Sequence, residues 1–207
     1  MEKPINIFVE GIADEKFIQD YVSHLLNIEL SKNDIIKSEG WTNINSKKGK
    51  GELIINKMIS NSDNGGLNII IFDSDSDYEK RRKEILKWGV DNSVEFQLFL
   101  FPNNSLPGAL EDLLEKIINK NNKPIFECWD GFEKCIQSKT INGRSQPLTI
   151  PAKKTKIYGY LETLLGKSQS EKEKIKERER NYKEKIHWNL DSEFLNPLRD
   201  FLIANIK

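Results

Sequence analysis

The residues of this sequence with the clearest capacity for chemistry are three aspartates at alternate positions, Asp73, Asp75 and Asp77. They follow the apolar run 69–72, which is typical of a short strand buried on both faces. Carboxylates this close repel one another, so a cation or a set of backbone N–H groups must compensate their charge. One aspartate would suffice to cap the helix that follows. The excess of acids therefore favours a site for Mg²⁺, Mn²⁺ or Ca²⁺, which prefer oxygen ligands, over a helix cap alone.

Two further acids follow other predicted strands. Glu10 ends the first strand, and Glu111 lies in the first turn of the helix after the fourth strand. In an open parallel sheet, functional groups gather at the carboxyl ends of the strands, and in the flavodoxin-like order the first and third strands are neighbours. We therefore expect Glu10, Asp73 and Asp75 to converge, with Glu111 on the same rim.

The elements that must position these acids alternate along the chain. Strands are predicted over 4–9, 35–37, 68–72 and 94–101, and helices over 14–27, 52–60, 78–88 and 108–118. This rhythm predicts an α/β fold in which helices cover a mostly parallel sheet. Residues 1–118 would form that core, and residues 119–207 a helical C-terminal extension packed on it. Within the extension, segment 168–185 is rich in Glu, Lys and Arg and predicts a solvated helix or a mobile excursion.

Composition limits the classes of protein. The 207 residues include 32 Lys and Arg and 32 Asp and Glu, so a polyanion would have to bind through local patches. Two cysteines are too few for a disulfide framework or a structural zinc site. Two histidines leave little for histidine-based metal or triad chemistry. Without a recognisable signal peptide or long apolar span, we expect a cytoplasmic protein that does not contact membranes.

Lysines mark the candidate patches. Lys47, Lys48 and Lys50 lie in a loop bordered by glycines, and Lys153 and Lys154 precede a predicted helix. Both groups are candidates for contacts with phosphate, although solvated lysines are the more common outcome in such places. The loop is not a nucleotide-binding P-loop, because GxxxxGK[ST] cannot be placed on it.

These motifs resemble those of a known domain. The segments FVEGIAD over 8–14 and IFDSD over 71–75 look like the Toprim domain. That domain is shared by topoisomerases, bacterial primases, small ribosomal-RNA-maturing nucleases and overcoming-lysogenisation-defect nucleases. It has a glutamate–glycine pair after its first strand and an Asp-x-Asp after its third. The match covers roughly residues 1–118, and residues 102–114 also resemble a group of stand-alone bacterial Toprim-like proteins of uncharacterised function.

The resemblance implies a function and a role for each acid. Glu10 would act as general acid or base, while Asp73 and Asp75 would hold Mg²⁺, for which Mn²⁺ could substitute. Asp77 and Glu111 would be auxiliary ligands. The implied reaction is Mg²⁺-dependent cleavage of phosphodiester bonds in nucleic acid, in which the metal carboxylates orient a water and neutralise charge on the phosphate.

The resemblance implies a role for two more residues, and it also has limits. Gly11 and Asp14, which complete the first motif, would contact phosphate or nucleic acid. A topoisomerase needs a tyrosine on a separate domain, and a primase carries further modules, for which this chain has no room. The ATPase of the lysogenisation-defect nucleases is absent too, so a partner protein such as an ATPase is a further expectation.

Other classes explain the acids less well. An EF-hand loop beginning at Asp73 would need a glycine where Tyr78 stands, and a strand replaces the preceding helix. A metal-dependent nucleotide-sugar transferase could use the Asp-x-Asp but gives Glu10 and Gly11 no role. A haloacid-dehalogenase-like phosphatase would want that motif on the first strand. The strongest alternative is a non-catalytic Toprim-like interaction module that retains the acids and depends on a partner for activity.

Overall fold

Four strands form a parallel sheet at the centre of the molecule. The computed structural model describes residues 3–31, 33–46 and 49–206, and its strand order is β2-β1-β3-β4. The strands are β1 at Ile5–Val9, β2 at Ile35–Lys37, β3 at Leu67–Asp73 and β4 at Gln97–Phe101. All three strand pairs are parallel. The predicted α/β fold with a mostly parallel sheet is confirmed, and β1 lies beside β3 as expected.

The central strand β3 is buried on both faces. Ile69 and Ile71 belong to the core on one side of the sheet, Ile70 and Phe72 belong to the core on the other, and all four are 0% exposed. β-branched and aromatic side chains suit such a strand because they pack well on a pleated surface. The acid that ends β3, Asp73, is therefore held at the middle of the sheet edge.

Helices cover both faces of the sheet. The core that contains Ile69 and Ile71, which we call the first core, includes side chains from α1 (Ile12–Leu26) and α5 (Leu110–Lys116). The second core includes side chains from α2 (Trp41–Ile44), α3 (Lys50–Asp63) and α4 (Tyr78–Asp91). Within the described ranges, no helix has both the length and the apolar character that crossing a bilayer requires.

The C-terminal region extends the first of these cores. Its helices are α6 (Lys123–Gln137), α7 (Lys153–Leu164), α8 (Gln169–Ile175) and α9 (Asn196–Ile206). Side chains from all four helices pack in or against the core that contains Ile7 and Ile71. The backbone also joins the two regions, because the Asn189 N–H donates to the Ile117 carbonyl at 2.6 Å. The α/β sheet and the C-terminal helices therefore share one apolar interior.

The charged segment 168–185 differs from its prediction as a solvated or mobile excursion. α8 is short, and the residues after it enter the core: Arg180 is 3% exposed and Tyr182 is 0% exposed. The Tyr182 N–H donates to Asp20 Oδ2 at 2.8 Å, and the Tyr182 ring meets the Phe17 ring edge-on with centroids 5.2 Å apart. Tyr182 thus anchors the segment to α1. The high density of charged residues in this part of the chain gave no indication of this anchor.

The anchoring of Tyr182 yields the first prediction. Tyr182→Ala should lower the free energy of unfolding by about 3–5 kcal/mol, because it empties a site between aromatic rings in the core. Phe194→Ala is the control, because that side chain is 57% exposed and surface truncations change stability by about 0.5 kcal/mol or less. Chemical denaturation monitored by circular dichroism measures both. Equal losses in the two variants would contradict the anchoring.

Candidate functional site

Glu10 and Asp73 meet at the carboxyl edge of the sheet. Val9 pairs with Ile71 in the register of β1 and β3, so the residues that follow leave the two strands side by side. Glu10 Oε1 accepts a hydrogen bond from the Asp73 N–H at 3.2 Å, although the two residues are 63 positions apart in the chain. The register of the parallel pair therefore brings the Glu-Gly and Asp-x-Asp motifs together.

The side chain of Asp73 connects β3 to α5. Its Oδ1 accepts a hydrogen bond from the N–H of Leu110, the first residue of α5, at 2.9 Å. Glu111, the next residue, then lies on the same rim, where its charge acts on Asp73. The end of β3 thus orients α5, the helix that carries Glu111.

Asp14 is the fourth acid at this edge. It is 8% exposed and lies in the first turn of α1, where its Oδ2 accepts a hydrogen bond from the Gly11 N–H at 2.7 Å. Its charge interacts with those of Glu10, Asp73 and Glu111, and we call these four residues the acid cluster. The sequence suggested Asp14 and Gly11 as contacts for phosphate. The structure instead joins them to each other and places Asp14 among the carboxyl groups.

Burial and repulsion raise the pKa values of three members of the acid cluster, Glu10, Asp14 and Asp73. Burial is the largest cause for each of the following shifts: the pKa of Asp73 rises to about 9 and that of Asp14 to about 7. Burial also raises the pKa of Glu10, against the opposing effect of its hydrogen bond from Asp73. Neighbouring carboxylates raise the pKa of Asp73 further, while the hydrogen bond from Leu110 lowers it. Without a compensating cation, Asp73 is thus mainly protonated at neutral pH.

Asp75 lies between the acid cluster and a cation. Its charge raises the pKa of Glu10, an effect smaller than that of burial, and its carboxylate forms an ion pair with Arg81. The backbone of Asp75 is left-handed, with φ 54°, and pairs with Gly108 in a single antiparallel bridge. The Arg81 guanidinium also lies 5.7 Å from the centre of the Trp41 ring. No spacing in the sequence distinguished Arg81 from the charged residues around it.

Asp77 has a local structural role. Its side chain accepts a hydrogen bond from the Lys80 N–H at 3.0 Å and caps the N-terminus of α4. This is the helix-cap interpretation that the sequence left open for the last aspartates. The auxiliary metal role of Asp77 remains a prediction.

The described lysines that were predicted to contact phosphate are in ion pairs. Their partners are Glu39 for Lys50, Asp112 for Lys153 and Glu177 for Lys154. The three lysine side chains are themselves 37–58% exposed, so they remain candidates for contacts with a polyanion. Lys47 and Lys48 lie outside the described residues.

Arg180 is a buried cation near the acid cluster that the sequence did not reveal. Its Nη1 donates to the Tyr182 hydroxyl at 3.2 Å, and its Nη2 donates to the Ile175 carbonyl at 3.1 Å. The pKa of Tyr182 is raised to about 12, chiefly by burial and in smaller part by the charges of Asp14 and Glu111, against the lowering effect of Arg180. Tyr182 therefore lies within electrostatic range of Asp14 and Glu111. Through this residue the C-terminal segment approaches the acid cluster. Only its place in a densely charged segment could have drawn attention to Arg180.

The donors of the acid cluster suit a hard divalent cation in type. Among the described residues, however, no three carboxylate, imidazole or thiol groups lie close enough to share one ion. Oxygens of Glu10, Asp14 and Asp73 are each bonded to a backbone N–H. Mg²⁺ commonly keeps several waters and uses one or two carboxylates, whereas Ca²⁺ takes six to eight oxygen ligands. An ion at this edge would therefore need ligands other than these carboxylates to complete its coordination.

The fold and this rim define an α/β protein with a carboxylate-rich edge on a four-stranded parallel sheet. The family described as "Protein of unknown function (DUF3226)" matches residues 4–203, so the chain belongs to that family. No curated protein and no solved structure matches the chain. The family match includes both the sheet and the C-terminal helices, in agreement with their shared core.

The raised pKa values yield the second prediction, for the metal-free protein. A raised folded-state pKa gives stability that is complete below the unfolded value, near about 4, and is lost as pH rises through the folded value. The folded values are about 7 for Asp14 and about 9 for Asp73. Thermal melts in EDTA should therefore show a melting temperature that falls from about pH 6 to about pH 8.5.

Variants identify the source of this pH dependence. Asp73→Asn cannot ionise, keeps an acceptor for the Leu110 N–H and should flatten the dependence. Asp91→Asn removes an exposed charge at the end of α4 and should keep the dependence of the wild type. A slope that Asp73→Asn leaves unchanged would contradict the buried, repelled state of this carboxyl.

Proposed function

We propose that this protein is a Mg²⁺-dependent phosphodiesterase that cleaves nucleic acid at a Toprim-like acidic site. The observation that supports this most is the hydrogen bond of 3.2 Å between Glu10 Oε1 and the Asp73 N–H, because it joins the two motifs of the resemblance. Carboxyl groups held together with raised pKa values, as Glu10, Asp14 and Asp73 are, are costly to a fold, and such costs are commonly retained for function. The cost makes a purely structural origin for the whole acid cluster a weaker explanation.

Each acid has a role in the proposed reaction. Glu10 would move the proton between water and the leaving oxygen, and its raised pKa brings it closer to the range in which general acid–base catalysis is efficient. Asp73 and Asp75 would hold Mg²⁺, for which Mn²⁺ could substitute. Glu111 is better placed than Asp77 as an auxiliary ligand, because its charge acts directly on Asp73. When bound, the ion would neutralise charge on the phosphate and favour ionisation of a water.

The substrate in this proposal is nucleic acid, held by local contacts since the net charge is zero. Lys153 and Lys154 lie at the start of α7, and their acidic partners Asp112 and Glu177 are replaceable by backbone phosphates. A partner protein such as an ATPase could supply specificity that the isolated chain lacks.

A non-catalytic interaction module is the second candidate. Two observations favour it: the described carboxylates are not arranged as a ready metal cage, and Lys50, Lys153 and Lys154 are already paired. In that case Asp73 would serve to orient α5, and Glu10 to join β1 to β3. A nucleotide-sugar transferase is supported less, because Glu10 has a defined place beside Asp73 that such an enzyme does not require.

The third prediction tests metal binding without a substrate. At free Mg²⁺ ten times its dissociation constant, the wild type should gain about 1.4 kcal/mol of stability by mass action. Asp73→Asn and Asp75→Asn should lose most of that gain, while Asp91→Asn should keep it. Thermal melts in EDTA and in MgCl₂ or MnCl₂ measure the difference. A wild-type melting temperature that neither salt changes would exclude the metal site.

The fourth prediction tests the role of Glu10. Glutamine keeps the size and one acceptor oxygen of glutamate but cannot take up a proton. Glu10→Gln should therefore reduce cleavage by roughly 10²-fold or more while the stabilisation by Mg²⁺ persists. Glu95→Gln is the control, because Glu95 is exposed and precedes β4, at the opposite end of the sheet.

The assay uses single- and double-stranded DNA and RNA with Mg²⁺ or Mn²⁺, and gels follow the products. Equal cleavage by wild type and Glu10→Gln would refute the proton-transfer role. Cleavage of none of the four substrates by wild type, combined with binding of Mg²⁺, would instead support the interaction module.

A further inference from the structure

A second candidate site lies at the other end of α1. A cavity of about 310 Å³ is bounded by the C-terminal turn of α1, the residues after α5 and the segment 183–191. His24, which lines it, is ten positions after Asp14, or about 15 Å along the helix. The cavity is therefore separate from the acid cluster, although both border the same C-terminal segment.

Three lysines line this cavity without an ion pair among the described residues. Within the described part of the chain, Lys120, Lys183 and Lys185 form no ion pair; Lys183 Nζ donates to the Ser23 hydroxyl at 3.2 Å. The three described lysines that the sequence proposed for phosphate are, in contrast, all paired with acids. Three unpaired ammonium groups around one cavity make it a locally positive site in a chain of zero net charge.

Acidic side chains near the cavity offset only part of this charge. Asp191 is the one carboxylate among the lining residues, and its Oδ1 already lies 2.8 Å from His24 Nε2. The Ser23 hydroxyl that meets Lys183 donates to Glu29 Oε1 at 2.5 Å. Glu29 thus reaches Lys183 only through a hydroxyl and does not line the cavity.

The backbone that carries these lysines is held in place. The Asn119 N–H donates to the His187 carbonyl at 2.8 Å, and the Asn119 side chain donates to the Lys185 carbonyl at 2.6 Å. Ile118 and Trp188 form an antiparallel bridge between the same two segments. A ligand that entered the cavity would need to order side chains but little backbone, which lowers the entropic cost of binding.

Trp188 provides an independent observation at the same place. It lines the cavity and is 2% exposed, yet its Nε1 has no hydrogen-bond partner among the described residues. Buried indole N–H groups normally have an acceptor, and the absence of one carries a cost. Because the Nε1 atom itself is buried, the indole N–H is a reporter of charge bound in the cavity and not a contact of the anion.

We propose that this cavity binds a phosphate group through Lys120, Lys183 and Lys185. Lysine binds phosphate as a point charge with charge-assisted hydrogen bonds. A phosphate group presents at least two non-bridging oxygens, and a phosphate monoester also carries more negative charge than a single carboxylate, so three ammonium groups favour it. The group could belong to a small phosphorylated molecule or to the backbone of a nucleic acid. The inference does not depend on the nuclease activity proposed above.

Calorimetric titration of the full chain with inorganic phosphate and with pyrophosphate tests the site. Wild type should bind at least one of them saturably. A triple variant with Lys120→Gln, Lys183→Gln and Lys185→Gln should weaken that binding about tenfold or more. The matched control removes the same number of charges from exposed lysines elsewhere, by Lys57→Gln, Lys134→Gln and Lys172→Gln, and should bind like wild type.

Two readouts make the outcome decisive. The indole N–H signal of Trp188 in a ¹H–¹⁵N spectrum, assigned with Trp188→Phe, should shift on addition of pyrophosphate in wild type and not in the cavity variant. No saturable binding, or an equal loss in both triple variants while melts show them folded, would overturn the proposal.

An oligonucleotide separates the two sources of the phosphate group. Binding of single-stranded DNA that weakens together with pyrophosphate binding in the cavity variant assigns the site to a nucleic-acid backbone. Oligonucleotide binding that the cavity variant leaves unchanged, beside weakened pyrophosphate binding, assigns it to a small phosphorylated molecule. Both results support a phosphate site.

Discussion

The burial of β3 on both faces is the constraint on which the rest of the structure depends. Alternate side chains of this strand enter two separate cores, so a shift of one residue would exchange the two sets. The cores thereby set the register of β1 against β3, in which Val9 pairs with Ile71. That register in turn places Glu10 beside the backbone of Asp73. The geometry of the candidate site is a consequence of how the apolar residues pack.

The acid cluster shows how a fold can hold like charges close together. Backbone N–H groups from three elements donate to its carboxylates: Gly11 to Asp14, Asp73 to Glu10 and Leu110 to Asp73. These bonds lower the pKa of each acceptor, but burial outweighs them and all three pKa values stay raised. The cluster is therefore partly protonated when alone, and a divalent cation would shift it to the ionised state. The raised pKa values are the property that most distinguishes the rim from an ordinary set of helix caps.

The C-terminal region shares a hydrophobic core with the sheet. Tyr182 and Trp188 pack in the same core as β1 and β3, and their rings lie 5.4 Å apart between centroids. The same segment borders the acid cluster through Tyr182 and the lysine-lined cavity through Lys183 and Lys185. Since the family match also extends through this region, the two candidate sites belong to one unit.

The sequence by itself determined the α/β class, the parallel sheet and the meeting of Glu10 with Asp73, because short-range periodicity and strand-end rules depend on local pattern. It also predicted that Glu111 lies at the same carboxyl edge of the sheet. Only the tertiary structure decided which aspartate is partly buried against α5 and which caps a helix, since Asp73 and Asp77 look alike in sequence. It likewise revealed the burial of Arg180 and Tyr182 and the gathering of unpaired lysines at one cavity. Those features arise from contacts between residues far apart in the chain, such as Tyr182 with Asp20, which no local pattern encodes.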